Sequence, residues 1–593
     1  MNTTNPDVDV VIAGLGPTGL VLAHMLGMRG HRVTVLEREP VFYGNARAVY
    51  TDDECLRIFQ SVDCADQVHK DMIYDVPVQF TRPDGSVLGR YKPLEREFGW
   101  PVINFFYQPW LETSLSDLLV RYPNVEVMRG RELVDFQAGP DTVTIEHRAT
   151  QTCRFGNGDE MQSAPQQGSD LQSISCRYLV GADGGRSRVR ECLGIGMTGR
   201  NFPENWLVVD LQQKDPSVGL RHLPYFNFVV DPKLPVVSCI QPGGFHRFEF
   251  MMMEGQTKEW LEQPETVRML LSKFVNPDDF EIKRKLVYTF NALMAEKWRD
   301  GRVFLAGDAA HMTPQFMGQG ASSGIRDAYN LGWKLSAVLR GKASETLLDT
   351  YQRERQAHAQ DMIDISVMMK NVVSMTNPIV SALRNLVFFM GRHVGPLRKY
   401  IEEGGFKPRP VYRKGGYLGL ARTKGNGPEG TLVPQPVVRD CHGKSSLLDD
   451  QLGSEFAVIG LRVDPRDSLS PRQIDWLVKL GAKFVALYPF GERPQATNGV
   501  FRDHPDGLME LEDIEDRMSK WFADAGFGRS GVLVQRPDRF AYAIVAATEL
   551  GTAVDQLRLD LGVAPGELWQ NDRNFLEKSE QRAAQPVRLA KAG

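Results

Sequence analysis

The sequence has 593 residues, too many for a single hydrophobic core, and predicts three or four structural units. Its formal net charge of −4 and its lack of a basic run argue against nucleic acid as the main partner. Seven scattered cysteines without a CxxC pair predict reduced thiols rather than disulfides or a metal site. No basic leader precedes the first apolar run, and no apolar stretch reaches membrane-spanning length, so we expect a cytoplasmic protein without a membrane partner.

The N-terminal segment has the pattern of a dinucleotide-binding unit. The β-branched run at 8–13 predicts a buried parallel strand, which the turn Gly14-Leu-Gly16-Pro-Thr-Gly19 and a helical pattern follow. Gly14 permits the tight turn, Gly16 lets backbone approach a pyrophosphate, and Gly19 lets the helix pack on the strand. A second strand ends at Glu37, 18 residues beyond Gly19, where an acidic side chain can bind a ribose 2′-hydroxyl.

Two later segments also combine a buried strand with a glycine-rich turn. Residues 177–181 predict a strand that runs into the turn Asp183-Gly-Gly. The run RVFLA predicts another strand, which ends just before Asp308, a residue able to accept hydrogen bonds from sugar or ribityl hydroxyls. Gly318-Gln-Gly320 then begins a predicted helix, so backbone N–H groups from Gly318 to Ala321 face an anionic or electron-accepting group.

In order and spacing, these three segments resemble the single-component flavoprotein aromatic hydroxylases of the para-hydroxybenzoate and phenol hydroxylase superfamily. The matching motifs are GLGPTG with Glu37, GADGGRS, and GDAAH followed by GQG. Shorter stretches resemble the 3-(3-hydroxyphenyl)propionate hydroxylases within it: FGWP at 98–101, RFEF at 247–250, LDTYQ at 348–352 and RPDRF at 536–540.

The resemblance implies an FAD-dependent monooxygenase that consumes NADH or NADPH and O₂. Such an enzyme hydroxylates a phenolic acid ortho to its hydroxyl group through a flavin C4a-hydroperoxide, and 3-(3-hydroxyphenyl)propionate is the best single candidate. Two alternatives stay open: a hydroxylase of a larger polyketide or resorcinol-type phenol, and a flavin-binding interaction protein without oxygenase activity. The sequence does not choose between the two nucleotide donors, and a homodimer is possible.

The resemblance also assigns residues to the FAD site. Gly14, Gly16, Gly19 and Glu37 correspond to the diphosphate and adenosine-ribose contacts. The other predicted cofactor-binding residues are Arg47, Gln108 near the ribityl chain, Asp183, Asp308 on the ribityl chain, and Gly318, Gly320 and Ala321 beside the pyrophosphate and isoalloxazine. His311 sits in the family's cofactor loop and is not its hydroxylation base. No metal site is predicted.

The sequence offers fewer candidate residues for the substrate pocket than for the FAD site. His222 and Tyr225 are candidate partners of the phenol, and Arg247 is a candidate for a substrate carboxylate. Alternation along the strands pairs Phe226 with Phe228 and Phe248 with Phe250 on shared faces, which belong either to a pocket wall or, as we favour, to the core.

The predicted fold class is α/β: a Rossmann-like FAD-binding domain, an inserted antiparallel-sheet substrate domain and a C-terminal thioredoxin-like domain. A βαβ pattern followed by two further strands predicts the last of these, although the redox cysteine pair is missing. The predicted boundaries are 1–75, 106–200 and 291–345 for the FAD-binding domain, 76–105 and 201–290 for the substrate domain, 346–407 for a helical segment, 408–435 for a linker and 436–593 for the C-terminal domain.

Overall fold

A computed structural model of the protein describes residues 6–41, 47–155, 160–166, 170–217, 226–413, 415, 427–494 and 507–562. Its strands are β1 (Val8–Ala13), β2 (Val33–Glu37), β3 (Tyr50–Thr51), β4 (Ile73–Tyr74), β5 (Val78–Thr81), β6 (Val87–Tyr91), β7 (Asn104–Phe105), β8 (Val125–Arg129), β9 (Arg131–Ala138), β10 (Val143–Phe155), β11 (Glu160–Pro165), β12 (Gln172–Gly181), β13 (Met197–Gln213), β14 (Phe226–Val229), β15 (Val236–Ile240), β16 (Phe245–Met251), β17 (Phe280–Ala295), β18 (Arg299–Asp300), β19 (Val303–Leu305), β20 (His311–Met312), β21 (Val437–Arg439), β22 (Ser445–Leu447), β23 (Ala457–Leu461), β24 (Lys483–Pro489), β25 (Leu508–Asp513), β26 (Val532–Gln535) and β27 (Ala541–Val545).

The α-helices of the same ranges are α1 (Pro17–Gly27), α2 (Asp53–Ser61), α3 (Ala65–His69), α4 (Gln108–Leu118), α5 (Arg188–Cys192), α6 (Lys258–Leu261), α7 (Pro264–Leu271), α8 (Gln319–Leu339), α9 (Thr350–Val373), α10 (Pro378–His393), α11 (Gly395–Glu402), α12 (Leu448–Leu452), α13 (Pro471–Leu480), α14 (Arg517–Asp524) and α15 (Leu550–Asp560). The predicted mixed α/β character is confirmed.

The first sheet is built around parallel strands that end at one edge. β1 lies between β12 and β2, and β12 also pairs in parallel with β19. The register places Ala13 opposite Gly181 and Gly181 opposite Leu305. Since the chain continues from these three strand ends into the three glycine-rich turns of the sequence, the turns converge at this carboxyl edge, where α/β sheets bind ligands.

The second sheet has the strand order β20-β17-β13-β16-β15-β14-β5-β6. One face packs against α6 and α7, and Phe248 and Phe250 are buried there with apolar residues of these helices, which agrees with the core interpretation of this pair. Strands from the two predicted substrate segments share the sheet, since β14 pairs with β5. The domain boundaries themselves stay predictions.

A third sheet, with the order β22-β21-β25-β24-β23-β26-β27, forms the C-terminal unit. β23, β24 and β25 are parallel, whereas β26 and β27 are antiparallel to their neighbours. The predicted βαβ unit followed by two strands is therefore present, and the thioredoxin-like assignment stays a prediction.

The turn between β26 and β27 attaches this unit to the first sheet's helices. Buried Arg536 in this turn donates two hydrogen bonds of 2.8 Å to Glu354 of α9. Glu354 also accepts one from Lys334 of α8 at 2.7 Å. The RPDRF stretch is thus a buried connection, in which each charge is compensated by its neighbours.

No single helix of the described ranges is both long and apolar enough to cross a membrane. The segments Glu345–Val373 and Pro378–His393 meet the length and composition criteria only when taken together, and they are bent by 113° at their junction.

Candidate active site

The glycine turn after β1 packs against the turn after β12. Gly14 has a φ of +102°, and a Cβ there would overlap the Ala182 carbonyl oxygen. A Cβ at Gly19 would overlap the Gly14 carbonyl oxygen, whereas a Cβ at Gly16 would meet nothing within 4 Å. Two glycines are therefore required by packing, and the third leaves open space at the N-terminus of α1, where backbone can approach a phosphate.

Glu37 is fixed beside this turn. One carboxylate oxygen accepts a hydrogen bond of 2.7 Å from the Leu15 backbone N–H, and the other accepts one of 2.9 Å from the Glu39 N–H. The carboxylate is thus held at the end of β2, in the place where dinucleotide-binding folds contact a ribose hydroxyl.

Asp183 presents one satisfied and one unsatisfied oxygen. Its Oδ2 accepts hydrogen bonds from the backbone N–H groups of Arg188, at 2.7 Å, and Val189, at 3.2 Å. Its Oδ1 is buried and has no partner among the described residues, and burial raises the pKa of the carboxyl group. Buried acceptors are normally paired, so this oxygen is suited to accept a hydrogen bond from a hydroxyl group of a bound cofactor.

The third turn carries Asp308. Gly307 before it has a φ of +61°, and a Cβ there would lie 2.6 Å from Oγ1 of Thr18, so this turn packs closely on α1. Asp308 is exposed just beyond the end of β19, and desolvation by the surrounding protein raises the pKa of its carboxyl group. Asp308 accepts no hydrogen bond from any described residue.

Helix α8 begins immediately beyond the same loop. Gly318, its N-cap, has a φ of +62° and offers no capping side chain. A Cβ at Gly318 would lie 2.9 Å from the Tyr50 ring, and one at Gly320 would meet nothing within 4 Å. The N-terminus of this 21-residue helix, which carries the positive end of the helix dipole, therefore lies beside open space at Gly320.

Two buried side chains fix the backbone of Arg47. Oε1 of Gln108 accepts hydrogen bonds of 2.7 Å from the N–H groups of both Arg47 and Ala48. Arg247 donates from Nη1 to the Arg47 carbonyl oxygen at 2.7 Å, and its Nε and Nη2 bind both carboxylate oxygens of Asp210 at 2.7 and 3.0 Å. The structure thus places Gln108 and Arg247 together, as supports of the Arg47 segment.

A set of aromatic rings lies on the Arg247 side of the second sheet. We call Tyr50, Tyr91, Phe105 and Phe226 the aromatic cluster; the first three are buried together with Cys239, and Phe226 packs against them half-buried. Phe105 stacks on Phe226 with ring centroids 5.6 Å apart. Cys239 pairs directly with Arg247 across β15 and β16, so both side chains leave the same face of the sheet. Because Tyr50 also touches Gly318, this cluster forms a wall beside the start of α8.

The two predicted partners of the phenol, His222 and Tyr225, lie outside the described residues. Phe228, predicted on the same face as Phe226, does contact it, with ring centroids 4.9 Å apart.

His311 is part of a buried network. Its Nε2 lies 2.6 Å from Oδ2 of Asp327, which also accepts from the Gly307 N–H at 3.0 Å. Oδ1 of Asp327 accepts from Nε of Arg355 at 2.9 Å. These contacts tie the Asp308 turn to α8 and α9, and they fit the interpretation that His311 is not the hydroxylation base.

Two further buried or bridging residues of this region, Arg190 and Glu249, are not marked by any motif of the sequence. Arg190 donates to the carbonyl oxygens of Gly185, at 2.8 Å, and Ala309, at 3.0 Å, and so joins the second and third turns. Glu249, on the same face of β16 as Arg247, is buried, and burial raises its pKa to about 7. The RFEF stretch contains both charged side chains, but nothing local in the sequence shows that both are buried.

The open glycine positions, the anchored Glu37 carboxylate and the unpaired oxygen of Asp183 are features that a dinucleotide-binding site of the flavoprotein type would require. The family model described as "FAD binding domain" matches residues 7–366. A second model, "HcaD C-terminal domain", matches residues 430–560.

Proteins of similar sequence are named as hydroxylases. The chain is 37% identical over 554 residues to the 3-(3-hydroxy-phenyl)propionate/3-hydroxycinnamic acid hydroxylase of Escherichia coli (strain SMS-3-5 / SECEC), covering 93% of this chain and 94% of the relative. The relative of the same name from Shigella sonnei (strain Ss046) gives the same identity and coverage. The chain belongs to the FAD-binding-domain family of flavin-dependent aromatic hydroxylases, and it is an FAD-dependent aromatic monooxygenase.

Solved structures share the fold. A ternary complex of aklavinone-11 hydroxylase with FAD and aklavinone has a TM-score of 0.72 at 22% identity, covering 95% of this chain and all of the other. The flavin-dependent monooxygenase PieE, in complex with FAD and substrate, has a TM-score of 0.73 at 18% identity, covering 94% of this chain and all of the other.

Proposed function

We propose that the protein hydroxylates a 3-hydroxyphenyl-alkanoate ortho to its phenol group, with 3-(3-hydroxyphenyl)propionate as the substrate and a catechol as the product. The observation that carries this proposal is the 37% identity over 93% of the chain to hydroxylases of that name. NADH or NADPH supplies the electrons, and O₂ supplies the oxygen atom.

The residues at the carboxyl edge of the first sheet suit FAD. In this proposal the open backbone at Gly16 and the α1 N-terminus hold the diphosphate, Glu37 and Asp183 bind ribose hydroxyls, and Asp308 binds the ribityl chain. Arg47 contacts the cofactor side, and Gln108 supports its backbone. Gly318, Gly320 and Ala321 place the α8 N-terminus where it stabilises negative charge on the flavin. When bound, FAD supplies the redox chemistry that activates dioxygen.

The chain's own contribution to hydroxylation is a dry, shaped pocket. The aromatic cluster supplies an apolar wall for a phenyl ring beside the cofactor loop. Excluding water from this pocket would protect the activated oxygen from being lost as peroxide. Because a phenolate reacts faster than a phenol, the pocket also needs a group that helps to deprotonate the substrate. His222 and Tyr225 remain our proposed phenol partners. Arg247 is already paired with Asp210, so a positioning role for the Arg47 segment suits it better than direct binding of a substrate carboxylate.

For the C-terminal unit we propose a thioredoxin-like domain that is redox-silent and serves packing or dimerisation. Cys441 is its only cysteine, and a thiol–disulfide cycle within this unit needs two. We also place the protein in the cytoplasm.

A substrate panel tests the proposed function. The rate of NADH and NADPH oxidation should rise severalfold with 3-(3-hydroxyphenyl)propionate and less with phenol, its para isomer, resorcinol or a polycyclic phenol. Stimulation by the polycyclic phenol alone would favour a hydroxylase of large substrates. FAD binding without oxygen uptake on any phenol would favour a flavin-binding interaction protein.

A further inference from the structure

The outward faces of α10 and α11 carry a dense apolar patch. Ten large apolar side chains of these two helices and their connection are at least 40% exposed. They form what we call the outer face: Ile379, Val380, Leu383, Leu386, Val387, Phe389, Met390, Val394, Leu397 and Tyr400.

The opposite side of α10 is firmly attached to the protein, so the exposure does not come from a detached helix. Arg384 donates to the carbonyl oxygens of Val230 at 2.7 Å and Val372 at 3.0 Å. The Phe388 ring packs on Phe80, with centroids 5.1 Å apart. The helix is therefore amphipathic, but in the reverse of the usual orientation. Its buried residues include Ser381, Arg384 and Gly391, whereas most of its large apolar side chains point to solvent.

The size of the outer face matches a protein interface. Ten large apolar side chains, each about half exposed, present on the order of 900 Å², which exceeds the ~300–600 Å² of the largest patch on a typical monomer. A standard protein–protein interface buries about 800 Å² on each partner. The patch is thus large enough for a stable dimer without contributions from other surfaces.

The charges of α11 suit a second copy of this chain. Exposed Arg398 and Lys399 precede Glu402 and Glu403 by one turn, with pair distances of 3.8 and 3.7 Å within the helix. If two copies of α11 run antiparallel about a two-fold axis, the cations of one helix face the carboxylates of the other. The two cations and two carboxylates of this helix cancel, so they provide no excess positive charge to attract an anionic lipid surface.

We propose that the outer face is the interface of a two-fold symmetric homodimer. The dimer buries the α10 stripes against each other and pairs the charges at the two α11 ends. This interface lies on the helical segment, which leaves packing, rather than dimerisation, as the role of the C-terminal unit.

Sedimentation velocity with the FAD-loaded full chain tests the proposal. Between 1 and 50 µM the wild type should sediment at about twice the 66.6 kDa chain mass. Val387→Glu should raise the dimer dissociation constant at least 100-fold. Val478→Glu is the matched control, because both valines are 59% exposed but Val478 lies on α13. Flavin absorbance of each variant confirms folding. A monomeric wild type, or equal dimerisation of both variants, would overturn the proposal.

Charge reversal tests the two-fold geometry separately. The double variant R398E/K399E should weaken the dimer, and so should E402K/E403K, whereas the combined four-residue variant should recover it. Loss of dimer in the combined variant would overturn the antiparallel arrangement. Co-sedimentation of a monomeric wild type with phosphatidylserine vesicles would replace the second copy by a lipid surface as the occupant.

Discussion

Asp308→Ala should weaken FAD binding without destabilising the protein. Because Asp308 accepts no hydrogen bond from a described residue, its removal strands no protein donor. The loss is therefore that of hydrogen bonds to the cofactor alone, about 1.5–3 kcal/mol for a charged acceptor. This corresponds to a dissociation constant roughly 10- to 150-fold higher.

The assay is titration of the apoprotein with FAD, followed by quenching of flavin fluorescence, together with the Tm of the apoprotein. Asp300→Ala provides a control, since Asp300 is also exposed and lies on the neighbouring β18. Asp183→Ala should differ from both by lowering the apoprotein Tm as well, because Asp183 accepts two backbone hydrogen bonds. An unchanged FAD dissociation constant for Asp308→Ala would remove this residue from the site.

Three further predictions concern packing, pH and the C-terminal cysteine. Gly14→Ala should lower the Tm well below that of Gly30→Ala, because both have positive φ but only Gly14 faces overlapping backbone; equal Tm values would refute the packing argument. Glu249 has a folded pKa raised to about 7 by burial, so the folded state holds a proton that the unfolded state releases near its usual 4.5. Stability should therefore fall as pH rises through this window, by at most ~3 kcal/mol, and Glu249→Gln should flatten the profile; parallel profiles would contradict this. Cys441→Ser should leave turnover unchanged, and a large loss of turnover would show that the C-terminal unit is not redox-silent.

The sequence predicted those elements whose signal is local. The strand at 8–13 is found with the expected bounds, the second strand ends at Glu37, and a helix begins beside Gly318. Each is specified by a continuous apolar run next to glycines, so neighbouring residues suffice to define it.

What the sequence could not predict depends on distant contacts. Arg247 has a carboxylate partner 37 residues away and a carbonyl partner 200 residues away, so its positioning role is invisible in the motif. Tyr50 and Phe105 lie in two-residue strands, which are too short to show periodicity. Arg190 joins two motifs that are separated by more than a hundred residues.

In the proposed function, reductant oxidation is coupled to ortho-hydroxylation of a 3-hydroxyphenyl-alkanoate. The most direct measurement follows NAD(P)H consumption, O₂ uptake and product mass in one reaction with 3-(3-hydroxyphenyl)propionate under isotopically labelled dioxygen. We expect one catechol carrying one labelled oxygen atom for each NAD(P)H and each O₂ consumed. Reductant oxidation that yields hydrogen peroxide and leaves the phenol unchanged would contradict it.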